Sequence, residues 1–175
     1  LYLVRHGQAS FGADDYDQLS DLGQRQAQRL GAYWRQRFGR ALSFDAVLTG
    51  TLRRQLQTWQ GIAEGAGLAD VPHLSRPGLD EYNGAAVIAA VHPEPMGPAD
   101  TPERYRAHFR MLRRGLRAWM DGEVLPAGMP TYTRFVQDVV AVLDHVREQY
   151  SGNVLLVSSG GPISTAVGHV LQTPS

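Results

Sequence analysis

Arg5, His6 and Gly7 stand together directly behind the apolar run Leu1–Val4. An imidazole beside a guanidinium suits a structural core poorly, because two cations repel, but it suits a bound dianion. Arginine presents a planar fork of donors matched to phosphate oxygens, and the neutral imidazole is a nucleophile near pH 7. Gly7 then allows close approach of a ligand to the backbone. Two more groups of this kind follow apolar runs. Arg53 and Arg54 open a helical stretch behind FDAVLTG, Phe44 to Gly50, where free N–H groups and the helix dipole favour anions; one of the two arginines is expected to be merely solvated. Ser158-Ser159-Gly160-Gly161 follows Val154–Val157, with Pro162 marking the first turn of another helix whose amides face an oxyanion. Asp80 and Glu81 in PGLDEYNG supply carboxylates. Phosphoryl transfer to histidine needs an acid for the leaving oxygen and then a base to activate water, and one carboxyl group in a partly dry pocket serves both steps. By residue type alone, a surface acid on a loop is the commoner situation for either of the two.

These groups need strand ends to carry them. Leu1–Val4 is short and β-like. SDLGQRQAQRLGAYWRQRF, from Ser20, repeats Leu22, Ala27, Leu30 and Trp34 at helical spacing. FDAVLTG is a buried strand, and TLRRQLQTWQGIAEGAG a helix closed by glycine. A short extended piece follows near Val71–Leu74. PTYTRFVQDVVAVLDHVREQY places Phe135, Val139, Val142, Leu143 and Val146 on one side of a helix; GNVLLVSS is a strand and GGPISTAVGHVL a helix. Uninterrupted apolar strands alternating with helices predict an α/β three-layer sandwich, with a mostly parallel central sheet and helices on both faces. Ligands of such folds sit outside the carboxyl ends of the strands. Residues 79–130 break the alternation. Prolines and glycines in HPEPMGPADTP flank a helix from about Pro102 to Met120, a helical excursion over the active-site edge within one domain spanning 1–175. In that helix Arg106, Arg110, Arg113 and Arg117 recur, with Arg114 beside them, opposite Phe109, Leu112, Leu116 and Trp119. This is either a solvated basic face or an electropositive rim that attracts phosphorylated substrate.

A chain of 175 residues, 43% hydrophobic and of zero net charge, is most simply one globular domain with no global pull towards nucleic acid or membrane. All 17 basic residues are arginine, which excludes lysine Schiff-base and P-loop lysine chemistry. The absence of cysteine excludes disulfides, a thiolate nucleophile and a cysteine metal site. No apolar run is long enough for a transmembrane helix. The expected setting is the cytoplasm. The expected partner is a phosphorylated small molecule or a phosphoprotein, without nucleic acid or membrane, and a homodimer remains open. The chain starts inside a strand-like run and stops at LQTPS without a closing element, so both ends are read as trimmed.

Taken in order, the segments resemble the histidine phosphatase superfamily, the phosphoglycerate mutase-like family. LVRHGQ is similar to its Arg-His-Gly signature, and LSDLGQRQAQRLG to its Leu-Ser/Thr-x-x-Gly-x-x-Gln-Ala stretch. GTLRRQLQT is similar to Ser-Pro-Leu-x-Arg-Ala-x-x-Thr, LDEYNG to Leu-x-Glu, and VLLVSSGGPIS to Val-x-Ser-His-Gly. The resemblance implies an α/β fold and a two-step reaction without metal or cofactor. His6 would attack phosphorus and become a phosphohistidine. Glu81, selected over Asp80, would protonate the leaving group and then activate water. Arg5 and Arg54, the latter selected over Arg53, would neutralise the equatorial oxygens. Gly7, Gln8, Ser10, Ser159, Gly160 and Gly161 are the candidate substrate-binding residues. The implied activity is a phosphohydrolase acting on a phosphomonoester. A weakened phosphate-binding or protein-interaction module is the alternative, with a phosphoglycerate mutase behind it. Several positions depart from the pattern. Ser159 stands where the family has a second histidine that donates to the phosphoryl group. Gly50 replaces a serine and Gln8 the commoner glutamate, and Gly12 lies near the place of an asparagine. Of the remaining histidines, His73, His92, His108, His145 and His169, the last two lie on amphipathic helices and are expected to be structural or exposed, while His92 and His108 lie in the excursion and are the two able to lean over the pocket, although neither is expected to. Loss of one oxyanion donor costs roughly 10²–10³ in rate. Ser159→His should therefore raise the rate if the place is open, and lower it if a neighbouring side chain has filled it.

Overall fold

Four short runs pair into a fully parallel sheet in the order β1-β4-β2-β3: β1 Tyr2–Arg5, β2 Ala46–Thr49, β3 His73–Ser75 and β4 Val154–Ser158. The computed structural model describes residues 1–10, 16–68 and 70–173, so Gly12 lies outside the described residues. The register sets Arg5 beside Ser158, and Thr49 beside both Val157 and Ser75. Consequently the chain leaves the sheet at one edge at His6, Gly50, Arg76 and Ser159. Every residue of β2 and β4 is buried, as continuous apolar strands covered on both faces must be. Alternate residues feed two cores. Val47, Leu155 and Val157 meet Ala27, Trp34, Trp59 and Ile62. Ala46, Leu48, Val154 and Leu156 meet Leu79, Val142 and Val146. Helices α1 (Asp21–Phe38) and α2 (Arg53–Ala66) thus cover one face, and α5 (Tyr132–Gln149) the other. Helix α6 (Gly160–Leu171) packs beside β1. Together these layers form the three-layer α/β sandwich that the alternation predicts.

Ser20 caps α1, its Oγ accepting from the Gly23 amide at 3.1 Å, and Gly67, at φ +71°, closes α2. The buried stripe of α1 is Gly23, Ala27, Gly31 and Trp34, whereas Leu22, expected on the apolar face, is exposed. The reason is backbone proximity. A Cβ on Gly31 would meet the Ile62 carbonyl, one on Gly65 the Gln28 carbonyl, and one on Gly61 the Ala27 methyl. Glycine and alanine therefore occupy the line of contact between α1 and α2.

The chain divides into two compact units, Leu1–Glu81 with Asp138–Gln172, and Tyr82–Gln137 with Thr173–Ser175. The second holds the stretch expected as an excursion at 79–130 from Tyr82 onward, leaving Leu79–Glu81 with the first, and runs on to Gln137 in α5. Its main helix, α4, spans Pro102–Met120, with the Thr101 hydroxyl accepting from the Arg104 amide at 3.2 Å. A shorter helix, α3 (Gly84–Ala89), starts at Asn83, whose side chain accepts from Ala86 at 3.1 Å. The periodicity gave no warning of it, although asparagine before an alanine-rich run is a helix-start signal. Trp119, 2% exposed, organises this unit. Tyr82, Tyr132 and Phe135 lie 6.0, 5.2 and 5.4 Å from it between ring centroids, and its indole donates to the Pro130 carbonyl at 3.0 Å. Phe109, expected on the packed side, is 53% exposed. The buried residues of α4 are Gly115, Ala118 and Trp119, and at 3.6 residues per turn Phe109 lies about 80° beyond Trp119, away from Ala118. Arg106, Arg110, Arg113, Arg114 and Arg117 are all exposed. His92 and His108 each bond a backbone carbonyl of their own unit, those of Glu94 and Gly97, both at 2.8 Å. Among the described residues no helix is long and apolar enough to cross a membrane.

Candidate active site

His6 is the first residue beyond β1, and its amide continues the sheet ladder to the Ser158 carbonyl at 2.9 Å. Its ring is half-buried. Nδ1 lies 2.7 Å from the Gly7 carbonyl, and Nε2 3.3 Å from Nε of Arg54. A carbonyl only accepts and a guanidinium only donates, so the proton belongs on Nδ1 and the lone pair on Nε2. Burial lowers the His6 pKa below its usual 6.5; the bond to Gly7 opposes this, the charges of Arg54 and Arg5 add to it, and Asp17 opposes it. The ring is accordingly neutral at pH 7, with its lone-pair nitrogen beside a cation. The lack of a side chain at Gly7 serves packing: a Cβ there would meet the Gly23 backbone of α1. The Gly7 amide donates to the Thr58 hydroxyl at 3.1 Å.

Arg54, 7% exposed, is held from two sides. Its Nη1 pairs with Asp17 at 2.7 Å, and its guanidinium carbon lies 5.5 Å from the Tyr16 ring centroid. The other oxygen of Asp17 accepts from the Arg53 amide at 3.0 Å, so one carboxylate both fixes Arg54 and caps the first turn of α2. The Arg53 side chain, by contrast, is exposed. Arg5 is exposed as well, and its guanidinium has no hydrogen-bonding or ionic partner among the described residues. Ser10 bonds Gln18 through its amide, and Gln8 is tied through its backbone to Ser20 and Gln26.

The two candidate carboxylates have different partners. Asp80 accepts from both the amide and the hydroxyl of Thr51, which ties it to the turn between β2 and α2. Glu81 accepts from the Gly161 amide at 3.1 and 3.2 Å. It therefore sits on the N-terminus of α6, where negative charge is favoured, and Gly160 is its neighbour.

Ser159 is 0% exposed. Its Oγ accepts from Nε2 of Gln55 at 2.9 Å, and the same nitrogen donates to the Leu79 carbonyl at 2.9 Å. The Ser158 hydroxyl donates to that carbonyl too, at 2.7 Å. A Cβ on Gly50 would run into the Gln55 carbonyl oxygen and the Asp80 carboxylate. The space beside Ser159 is thus filled by Gln55, and Gly50 admits it. Within the same unit, His73 bonds Thr49 at 3.0 Å, His145 faces Arg76 and Tyr150, and His169 is exposed.

Asp17, Gln55 and Thr58 did not emerge from the sequence. Asp17 is one acid of DDYD, with nothing in the sequence to single it out. Gln55 could have been noticed, because it stands where the resembled stretch carries alanine, alongside the departures at Gly50 and Ser159. A groove of about 370 Å³ between α1 and α2, lined by Arg25, Gln28, Arg29 and Glu64 among others, contains none of these residues. Among the described residues no group of three or more His, Asp or Glu is placed to hold a metal ion.

Solved structures share this fold at low sequence identity. A mycobacterial glucosyl-3-phosphoglycerate phosphatase, in complex with VO3, matches with a TM-score of 0.64 and 20% identity, over 98% of this chain and 81% of its own. A candidate alpha-ribazole-5'-P phosphatase of Escherichia coli K-12 matches with a TM-score of 0.64 and 20% identity, over 98% and 79%. The phosphoglycerate mutase of Bacillus anthracis matches with a TM-score of 0.63 and 17% identity, over 98% and 79%. No curated protein sequence matches the chain. At the level of family, residues 1–175 match the histidine phosphatase superfamily (branch 1), and the chain belongs to that superfamily.

Proposed function

We propose that the protein is a metal-independent phosphohydrolase acting on a phosphomonoester of a small molecule, with His6 as nucleophile and Glu81 as acid and base. The observation that carries this reading is the His6 ring, whose proton is engaged by Gly7 and whose lone-pair nitrogen faces Arg54. In the first step the Nε2 lone pair forms the N–P bond while the P–O bond to the leaving group breaks. The Glu81 carboxyl gives its proton to the departing oxygen. Water then gives a proton to the Glu81 carboxylate as its oxygen attacks phosphorus, and the N–P bond breaks with its electrons returning to Nε2. Arg54, pre-set by Asp17, and Arg5, without a competing partner among the described residues, neutralise the phosphoryl oxygens. The names of the similar phosphatases support a phosphorylated small molecule as substrate.

A second reading is favoured by one observation. Ser159 is sealed behind Gln55, so the corner where the family's second histidine would act offers no charged donor. On this reading the site binds phosphate but turns over weakly. A panel of phosphomonoesters, assayed with and without EDTA, separates the two. Turnover unaffected by EDTA, with a phosphoenzyme stable to base and labile to acid, supports the hydrolase. Micromolar phosphate binding without turnover supports the binding module.

A further inference from the structure

Gln55 has no exposed surface, and its amide is used unevenly. Its nitrogen donates to the Leu79 carbonyl and the Ser159 hydroxyl. The Leu79 carbonyl, which only accepts, fixes which end of the amide is nitrogen. Its oxygen, Oε1, is buried with no hydrogen-bond partner among the described residues. An orphaned buried carbonyl costs stability, and an unbranched apolar chain of equal length would avoid that cost. Packing therefore does not account for the amide, but its location does. Gln55 directly follows Arg54 in the chain, and it grips a carbonyl two residues before Glu81. The Ser158 hydroxyl holds the same carbonyl from a second direction.

We propose that Gln55 is a positioning residue for the acid/base step. It fixes the Leu79 carbonyl and, through it, the placement of Glu81 on the N-terminus of α6. Ser159 steers the Gln55 amide and does not itself present a donor to the substrate. Three substitutions relative to the resembled pattern then form one exchange: Gln55 fills the volume of the missing imidazole, Gly50 makes room for it and Ser159 accepts its hydrogen bond. The proposal rests on the reading of Glu81 as acid and base.

Gln55→Met tests it, since methionine keeps the length and removes both donors and the orphaned oxygen. The expected result is a Tm at or above that of the parent and kcat lower by about ten- to a hundred-fold, the scale of a small misplacement of a catalytic group. KM should stay within about two-fold, the sign of an interaction felt in the transition state. The basic limb of the kcat–pH profile, which reports protonated Glu81, should move. Ser159→Ala should cost less, and Gln55→Met with Ser159→Ala no more than Gln55→Met alone, because both cut one relay. The ¹³C carboxyl signal of Glu81, assigned with Glu81→Gln, reads the placement without turnover. A parent inactive on every phosphomonoester would retire the hydrolase reading; a Glu81 signal displaced in Gln55→Met would still support the positioning role. Parental kcat and an unmoved Glu81 signal in Gln55→Met overturn it. If methionine is not tolerated, an unmoved Glu81 signal in Ser159→Ala overturns it equally.

Discussion

Two neighbouring strand ends, Arg5-His6 on β1 and Ser158-Ser159 on β4, lie in register at the same sheet edge and have opposite characters. At β1 the guanidinium is exposed and the imidazole half-buried with a lone pair beside Arg54. At β4 both serines are buried and turned inward, onto Leu79 and Gln55. The difference comes from the path of the chain beyond each end and from the side chains that cover it. After His6 the backbone turns onto α1 at Gly7 and leaves the ring half-buried, with Nε2 facing only Arg54. After Ser158 a long side chain from α2 closes over the strand end. A position at the carboxyl end of a parallel strand is thus only a candidate for ligand contact, and a neighbouring helix decides whether it is offered.

The sharpest break in this comparison is His6→Ala, which should reduce phosphatase activity to background, while His145→Ala and His169→Ala stay near the parental rate. Activity surviving in His6→Ala would move the nucleophile elsewhere. Next is Arg54→Gln, expected to lower kcat/KM by roughly 10²–10³, the usual effect of losing one charged transition-state donor. It should also shift the acid limb of kcat/KM. Burial is the main cause of the lowered His6 pKa and the Arg54 charge adds to it. In the parent the active neutral ring therefore persists below pH 6.5 and is lost as pH falls through the depressed value; without Arg54 that limb should move up. An unmoved limb would mean that another group carries it. Ser159→His probes the closed strand end. Alone it should lower the thermal midpoint, because overpacking a full site costs about 1–3 kcal/mol, and it should lower the rate. In a Gln55→Ala background the same imidazole should fit and recover part of the rate lost by Gln55→Ala. A rise in Ser159→His alone would show that the corner is open after all. The smallest expected effect is on stability. A folded-state pKa below that of the unfolded chain means that the unfolded state binds more protons. The His6 contribution is therefore complete above pH 6.5 and lost as pH falls towards the depressed value. His6→Ala should flatten the stability–pH curve in that window, as followed by denaturant midpoints.

Much of this site was legible. Uninterrupted apolar runs announced buried parallel strands, and the polar groups behind them announced the edge that carries His6, Arg54, Glu81 and Ser159. Helical spacing from Ser20 placed α1, and the closing glycine placed the end of α2. What escaped depends on contacts across the sequence. Leu22 lost its expected place to Gly23 and Gly31, because two helix backbones approach more closely than apolar periodicity can indicate. Phe109 fell outside a buried stripe centred on Gly115. The roles of Asp17 and Gln55 arise from partners 37 and 104 residues away, Arg54 and Ser159 respectively, and no local pattern encodes those distances.

Because Gly7 meets Gly23 main chain to main chain, no side chain stands between the 18-residue helix α1 and the residue next to His6. The height of His6 above the sheet is gauged from a helix axis, which has no rotamers to sample. Warming or mutating either apolar layer then changes how long the assembly survives before it changes where the imidazole stands. Loss of activity on heating should follow the unfolding curve as one event, without an earlier phase of gradual drift.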